Sequence, residues 1–305
     1  MKLNHKLIIL LFLSIVGVEH LFAQAPAVDE VYKKKLDNWQ RTMTRWKLHN
    51  FVPLVGLHLL SEGENTFGSG QDNDIVLDTD NAPKFMGALI KEGKNVKYIA
   101  QAGMEVELDG EAITMFTYSF DGDRNSETLR HRFIKWYIQF VGDDYFLRVL
   151  DDQSPRLREY EPFDYFPATG DFIIQGVYKP YKKPKTIFLD NVIGTMQHYD
   201  FSGRVEFRHG GEKYSLEVIG GRFIMFGDAS NGDTTFPIGR YLRIDPQEGR
   251  NVVTLDFNYA FSPPRSVSIY TTCEFAPDQN VLPFSIEAGE KYVNNEEPVI
   301  RNVKR

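Results

Sequence analysis

The stretch "YSLEVIGGRFIMFGD", Tyr214–Asp228, decides the fold class. Short aromatic and β-branched runs punctuated by glycine are the pattern of strands, because a helix repeats its apolar positions every three or four residues. The same pattern continues downstream in "GRYLRID" (Gly239–Asp245), "NVVTLDFNYAF" (Asn251–Phe261) and "SVSIYTT" (Ser266–Thr272). Upstream it reaches back to Phe51. Hairpin turns are marked by Glu92-Gly93-Lys94, Asp109-Gly110, Gly142-Asp143, Gly210-Gly211 and Asn231-Gly232.

Only residues 28–49 carry a strong helical pattern. Tyr32, Leu36, Trp39, Met43 and Trp46 recur at intervals of three and four, with Lys33, Lys34, Asp37, Arg41 and Arg45 on the remaining surface. Asp29 is positioned as the N-cap. The chain is therefore expected to be mainly β, with an N-terminal amphipathic helix (28–50) followed by two packed antiparallel β units, sandwich or barrel-like (51–160 and 161–293). The soft boundary falls at 151–170, rich in Pro, Asp and aromatics but too poor in Gly and Ser for a flexible linker. Residues 294–305 are charged and patternless, and disorder is expected there.

The chain opens with Lys2, His5 and Lys6, then an apolar run from Leu7 to Val18, then Leu21-Phe22-Ala23-Gln24-Ala25. A basic start, a short apolar stretch and small residues form a signal-peptide pattern, cut after Ala23 or after Ala25. The run is shorter than the roughly 20 residues that cross a bilayer. A periplasmic or secreted protein with no transmembrane anchor is expected. Cys273 is the only cysteine, so an intramolecular disulfide is impossible and stability must come from the core. With 42% hydrophobic residues, 23 Phe and 15 Tyr, the composition is that of a packed globular protein. A net charge of −7 argues against a nucleic-acid partner. The basic "KPYKKPK" (Lys179–Lys185), interrupted by prolines, reads as a solvated loop.

Three segments carry a resemblance. "RFIMFGDASNGDTTFPIGRYLRIDPQEGRNVVTLDFNYAFSPPRSVSIYTTCEFAPDQNVLPFSIEAGEK" (Arg222–Lys291), "GLHLLSEGENTFGS" (Gly56–Ser69) and "RVLDDQSPRLREYEPFDYFP" (Arg148–Pro167) resemble an uncharacterised bacterial family, domain-of-unknown-function family 1684, over roughly residues 30–292. The resemblance implies no reaction. It implies a polar signature at Asp228, Arg240, Asp256, Asn258, Asn280, Glu290 and Lys291. It also implies a cysteine after the double proline, with a second at the position of Cys273; here the first is Arg265, so a thiol-pair activity does not carry over. Separately, Gly63, Gly68, Asn73-Asp74-Ile75, Leu77 and Gly110 resemble the frame of a forkhead-associated β-sandwich. That family reads phosphothreonine with an arginine where this chain has Ser69, and with a Ser-Arg-x-His loop where it has Ala82-Pro83-Lys84-Phe85. The resemblance thus implies the sandwich without phosphopeptide binding.

Catalytic signatures such as Gly-x-Ser-x-Gly, His-Glu-x-x-His, a Walker loop and Cys-x-x-Cys are missing, and no metal or cofactor is expected. Asp121-Gly-Asp123-Arg-Asn125 begins like a calcium loop, but Ser126 and Arg132 occupy the turn-glycine and bidentate-Glu positions, so a polar turn is expected. In "VVTLDFNYAF", Thr254, Asp256 and Asn258 share one strand face, opposite Val253, Leu255 and Phe257. Arg240 falls on the apolar face with Leu242 and Ile244, where a guanidinium needs a carboxylate or a ligand anion. Asp228 shares its face with Ile224 and Phe226. Two readings stand. The cluster is either a register-fixing buried ion pair with Asp228 or Asp256, or a ligand site built from Asp228, Arg240, Asp256, Asn258, Asn280, Glu290 and Lys291. The leading functional expectation is a binding or structural module for a small-molecule or envelope-polymer ligand, such as a cell-envelope saccharide or peptide. The alternative is a periplasmic hydrolase with Asp256 or Glu290 as acid/base and Arg240 or Lys291 stabilising charge.

Overall fold

The computed structural model describes residues 28–120, 125–246 and 251–292. The leader with both cleavage sites, Asp121 and Asp123 of the calcium-like turn, and the 294–305 tail lie outside the described residues. The protein is mainly β with one long helix, as its residue pattern implies.

That helix, α1, spans Glu30–Asn50 and is capped by the Asp29 carboxylate, which accepts from the Tyr32 N–H at 2.8 Å. The first β unit contains β1 (Leu54–Leu59), β2 (Gly63–Gly68), β3 (Ile75–Val76), β4 (Gly87–Glu92), β5 (Asn95–Ala100), β6 (Val106–Leu108), β7 (Glu111–Ile113), β8 (Met115–Thr117), β9 (Leu129–His131), β10 (Ile134–Val141) and β11 (Asp144–Asp151). One sheet runs β1-β11-β10-β9-β6-β7 and the other β3-β2-β4-β5-β8. Between them Phe67, Tyr98 and Trp136 meet edge to face, with ring centroids 5.3–5.9 Å apart.

The second unit holds β12 (Ile173–Asp190), β13 (Met196–His209), β14 (Glu212–Ile219), β15 (Phe223–Phe226), β16 (Arg240–Arg243) and β17 (Val252–Asp256). They form one sheet, ordered β16-β15-β14-β13-β12-β17 and curved into a half-barrel. Its core is separate from that of the first unit and includes Val205, Leu216, Ile224, Phe226, Leu242, Leu255, Phe257 and Ile286.

Three local expectations change. Lys179–Lys185 is part of β12 rather than a loop; the pairing with β13 jumps from Pro180↔Gly203 to Lys185↔Phe201, so the prolines are taken up in a bulge. Asn231-Gly232 does not join two strands: the Asn231 amide bonds Thr235 Oγ1 (2.9 Å) and the Phe236 carbonyl (3.0 Å), closing a compact loop. β17 ends at Asp256 and the chain turns into a 3-10 helix, Phe257–Tyr259, so Asn258 is not on the strand face of Thr254.

Although α1 precedes the first unit in sequence, it packs on the second. Trp39 lies 5.0 Å from the Tyr259 ring and 6.1 Å from Phe261, and Tyr32 lies 6.2 Å from Tyr259. The two units are clasped at separate points. Gly142 N–H donates to Gln197 Oε1 (3.0 Å), and Arg156 donates to the carbonyls of Leu54 (3.1 Å) and Val267 (3.0 Å).

Candidate functional site

The polar signature of the C-terminal segment resolves into several hydrogen-bonded groups. Arg240, with its side chain fully buried, donates to Asp228 Oδ2 at 2.8 Å and to the carbonyls of Ile286 (2.7 Å) and Ala288. The Asp228 carboxylate also accepts from the N–H groups of Ser230 (2.9 Å) and Ile286 (3.3 Å) and from the Ser230 hydroxyl. Burial pulls the Arg240 pKa down, opposed by Asp228 and then by Glu290. Arg240 thus finds its carboxylate in Asp228, in the segment that follows β15, the strand paired with β16.

Glu290 has a different cation. Its Oε2 accepts from Lys47 Nζ on α1 at 2.6 Å and from the Ser262 N–H at 2.7 Å, while Oε1 accepts from the Tyr165 hydroxyl at 3.0 Å. Lys47 is fully buried, 4.2 Å from the Phe163 ring centroid. Burial lowers the Lys47 pKa, the loss of water outweighing the pull of Glu290. The Tyr160 hydroxyl is pushed up to about 12 by burial and by the Glu290 charge. Gly289, at φ 79°, lets the backbone pass close to the Phe257 and Ala260 carbonyls; the Glu290 N–H then donates to Ala260 at 2.9 Å.

Asp256 turns towards the helix. It accepts from the Tyr32 hydroxyl (2.9 Å) and from the Asn258 side-chain (3.0 Å) and backbone (3.2 Å) N–H groups. Burial raises its pKa, against the hydrogen bonds of Asn258 and Tyr32. Asn258 exchanges two bonds with the Thr169 backbone, and Asn280 bridges Glu217 and Met225 on β14 and β15. Lys291 rests its ammonium 4.9 Å from the Phe166 centroid. The structure therefore brings Asp228 to Arg240, and Glu290 within electrostatic reach of both Arg240 and Lys47. Asp256, Asn280 and Lys291 stand apart from that pair.

None of these seven residues lines the cleft between the two units, a space of about 350 Å³. Its first wall is the outer face of the first sandwich, with Gln139 on β10 and Arg148 on β11. Because that face is covered by the second unit, β11 is buried on both sides: Tyr145, Leu147 and Val149 point into the sandwich, while Phe146 and Arg148 point out and are still only 2% and 5% exposed. The opposite wall holds Tyr199 (β13), Phe223 and Met225 (β15), and Tyr241 and Arg243 (β16). Trp46, Phe51, Phe261, Pro264 and Thr271–Glu274 complete the lining. Arg148 donates to the Tyr270 carbonyl at 2.7 Å, but its Nε and the Gln139 Oε1 are buried without a partner. Burial raises the Tyr241 phenol well above its ordinary pKa and pushes the Cys273 thiol up to about 11, so both keep their protons at neutral pH. Among the described residues no group of His, Cys, Asp and Glu is arranged to hold a metal ion, and no helix is long and apolar enough to cross a membrane.

The signal for this cleft was the unbroken run "YFLRVL" (Tyr145–Leu150), whose arginine sits inside a strand with no polar face. The other wall comes from strands far away in sequence, which no local pattern pairs with it.

Among solved structures, the chain is similar to an uncharacterized protein of Haloarcula marismortui solved by NMR, at 23% identity and TM-score 0.40, over 47% of this chain and 83% of that one. A forkhead-associated domain from a study of phosphothreonine-dependent interactions overlaps at 16% identity and TM-score 0.21, over 31% and 94% of the two chains. Mycobacterium tuberculosis EmbR in complex with a low-affinity phosphopeptide overlaps at 18% identity and TM-score 0.21, over 41% and 32%. Overlaps this partial assign neither fold nor ligand. No match is found among curated proteins. Residues 158–291, which include all seven positions of the polar signature, match the model of a family described as "Protein of unknown function (DUF1684)".

Proposed function

We propose that this is an exported binding module whose ligand, a cell-envelope saccharide or peptide fragment, occupies the cleft between the two β units. One observation carries the reading: Arg148, which lines that cleft, is buried with no carboxylate partner among the described residues, and Gln139, in the same lining, has an unsatisfied Oε1. Buried polar groups without partners are costly, and a ligand that supplies an acceptor and a donor removes that cost. Aromatic walls with a few polar groups are the usual lining of small-molecule sites, and 350 Å³ lies within their size range. Export is supported by the leader-like start, Lys2–Ala25.

The hydrolase alternative is less well supported. Asp256 and Glu290 each accept several protein hydrogen bonds away from the cleft, and Glu274 is the only carboxylate among the cleft-lining residues, whereas glycoside-type chemistry uses two. The test is titration of the full mature chain with envelope oligosaccharides and short peptides, followed through Trp46 fluorescence. A saturable change that Tyr241→Ala weakens at least about tenfold supports the cleft, since ring contacts dominate such sites. Saturable binding unaffected by Tyr241→Ala places the site elsewhere.

A further inference from the structure

We propose that the ligand of this cleft is an acidic saccharide whose carboxylate pairs with the Arg148 guanidinium. The proposal rests on the binding reading above and adds the chemical class of the ligand.

The chain contains its own control for a buried guanidinium. Arg240 and Arg148 are 0% and 5% exposed and both leave Nε without a partner, so what separates them is the counter-ion: Arg240 is met by the Asp228 carboxylate at 2.8 Å. Arg148 has no ion pair among the described residues; it has one carbonyl, that of Tyr270, and lies 5.9 Å from the Tyr137 ring centroid. A guanidinium withdrawn from water needs an anion and further acceptors. The Arg148 side chain lines the cleft, so an anion bound there would supply the missing counter-charge. Charge agrees: the lining carries Arg148 and Arg243 against Glu274, a net positive site on a chain of net charge −7.

The rest of the lining separates a sugar from a peptide. Peptides are commonly read by adding a strand to a sheet edge. β16 is the edge strand of the second sheet, but Phe261 occupies that edge: Tyr241 N–H donates to the Phe261 carbonyl at 2.8 Å and the reverse bond is 3.0 Å. β10, β11, β13 and β15 are all interior strands. Recognition must therefore use side chains. Tyr199, Phe223 and Tyr241 offer rings to the CH face of a pyranose, while Gln139 and Thr272 can exchange hydrogen bonds with its hydroxyls.

The experiment is calorimetric titration of the full mature chain with matched probes: digalacturonate against galactobiose, and trialanine as a small carboxylate peptide. Digalacturonate should bind at least about tenfold more tightly than galactobiose, the scale of one charge-assisted contact. Arg148→Gln should reduce that preference to within about twofold, and Arg148→Lys should restore part of it. Equal binding of both sugars by the unaltered chain, or a preference that survives Arg148→Gln, overturns the acidic ligand and leaves the binding module standing. Trialanine binding more tightly than either sugar overturns the saccharide. No binding of any probe overturns both. Arg243→Gln, at the exposed rim, keeps the test open if Arg148→Gln does not fold: only a favoured anion loses affinity, by about twofold to fivefold, through weaker steering.

Discussion

Lys47 and Glu290 lie 243 residues apart and meet at 2.6 Å with both side chains buried. The pair joins α1 to the end of the C-terminal segment, and Glu290 also holds the Ser262 backbone and the Tyr165 hydroxyl. Together with Tyr32–Asp256 it fastens the helix to the half-barrel. The C-terminal polar signature is thus engaged in internal ties, and the proposed ligand site is the cleft.

Breaking that pair from one side strands a buried charge. Lys47→Met and Glu290→Gln should each destabilise by about 3–5 kcal/mol, and the double variant should cost much less than the sum. Denaturant melts check this, and additive losses would show that the two groups act independently.

Arg240→Ala should likewise cost about 3–5 kcal/mol and Asp228→Asn a comparable amount, because each removes half of a buried ion pair. Asp256→Asn should cost no more than about 1 kcal/mol, since its bonding partners are neutral groups. The sign with pH follows from its raised pKa. The folded state holds the Asp256 proton more tightly than the unfolded chain, so this contribution is complete below the ordinary carboxylate range and is lost as pH rises through the folded value. Asp256→Asn should remove that component from the acid limb of the stability profile. Uniform large losses at all three positions would contradict this ranking.

Cys273 should resist iodoacetamide at pH 8 in the folded protein and react once unfolded, because the thiol is buried and its pKa is about 11. Stability linked to this proton is complete below about pH 8.5, the ordinary thiol value, and declines as pH rises through about 11. Melts between pH 8 and 11 with and without Cys273→Ser should diverge in that window. Rapid native labelling would show that the thiol is open to solvent.

Leu36→Ala should cost about 2–4 kcal/mol, and Trp39→Ala somewhat less than the 3–5 kcal/mol of a fully buried ring, because Leu36 is buried while Trp39 is half-buried against Tyr259 and Phe261. Unchanged melting temperatures would mean that α1 does not depend on this face.

Much of this architecture is legible from residue order. The Tyr32–Leu36–Trp39 spacing marks the packed face of α1, and the company of Leu242 and Ile244 marks Arg240 as a buried cation in need of a carboxylate. Lys47 falls on the same stripe, eleven residues after Leu36, yet a lysine at a helix end ordinarily snorkels to water, so its burial is invisible until Glu290 is seen beside it. Asn258 escaped because nothing local announces that β17 ends at Asp256. The cleft escaped for a topological reason: Arg148 and Tyr241 belong to different units, and only the docking of two sheets places them around one space.

Chemical-shift mapping of the labelled protein during titration with digalacturonate tests the central claim most directly. The account predicts that shifts concentrate at the Trp46 indole, the Arg148 Nε–H, and the amides of Tyr241 and Thr271–Glu274, with Asp228, Arg240, Asp256 and Glu290 undisturbed. Saturable shifts centred on those four residues, with the cleft silent, would contradict it.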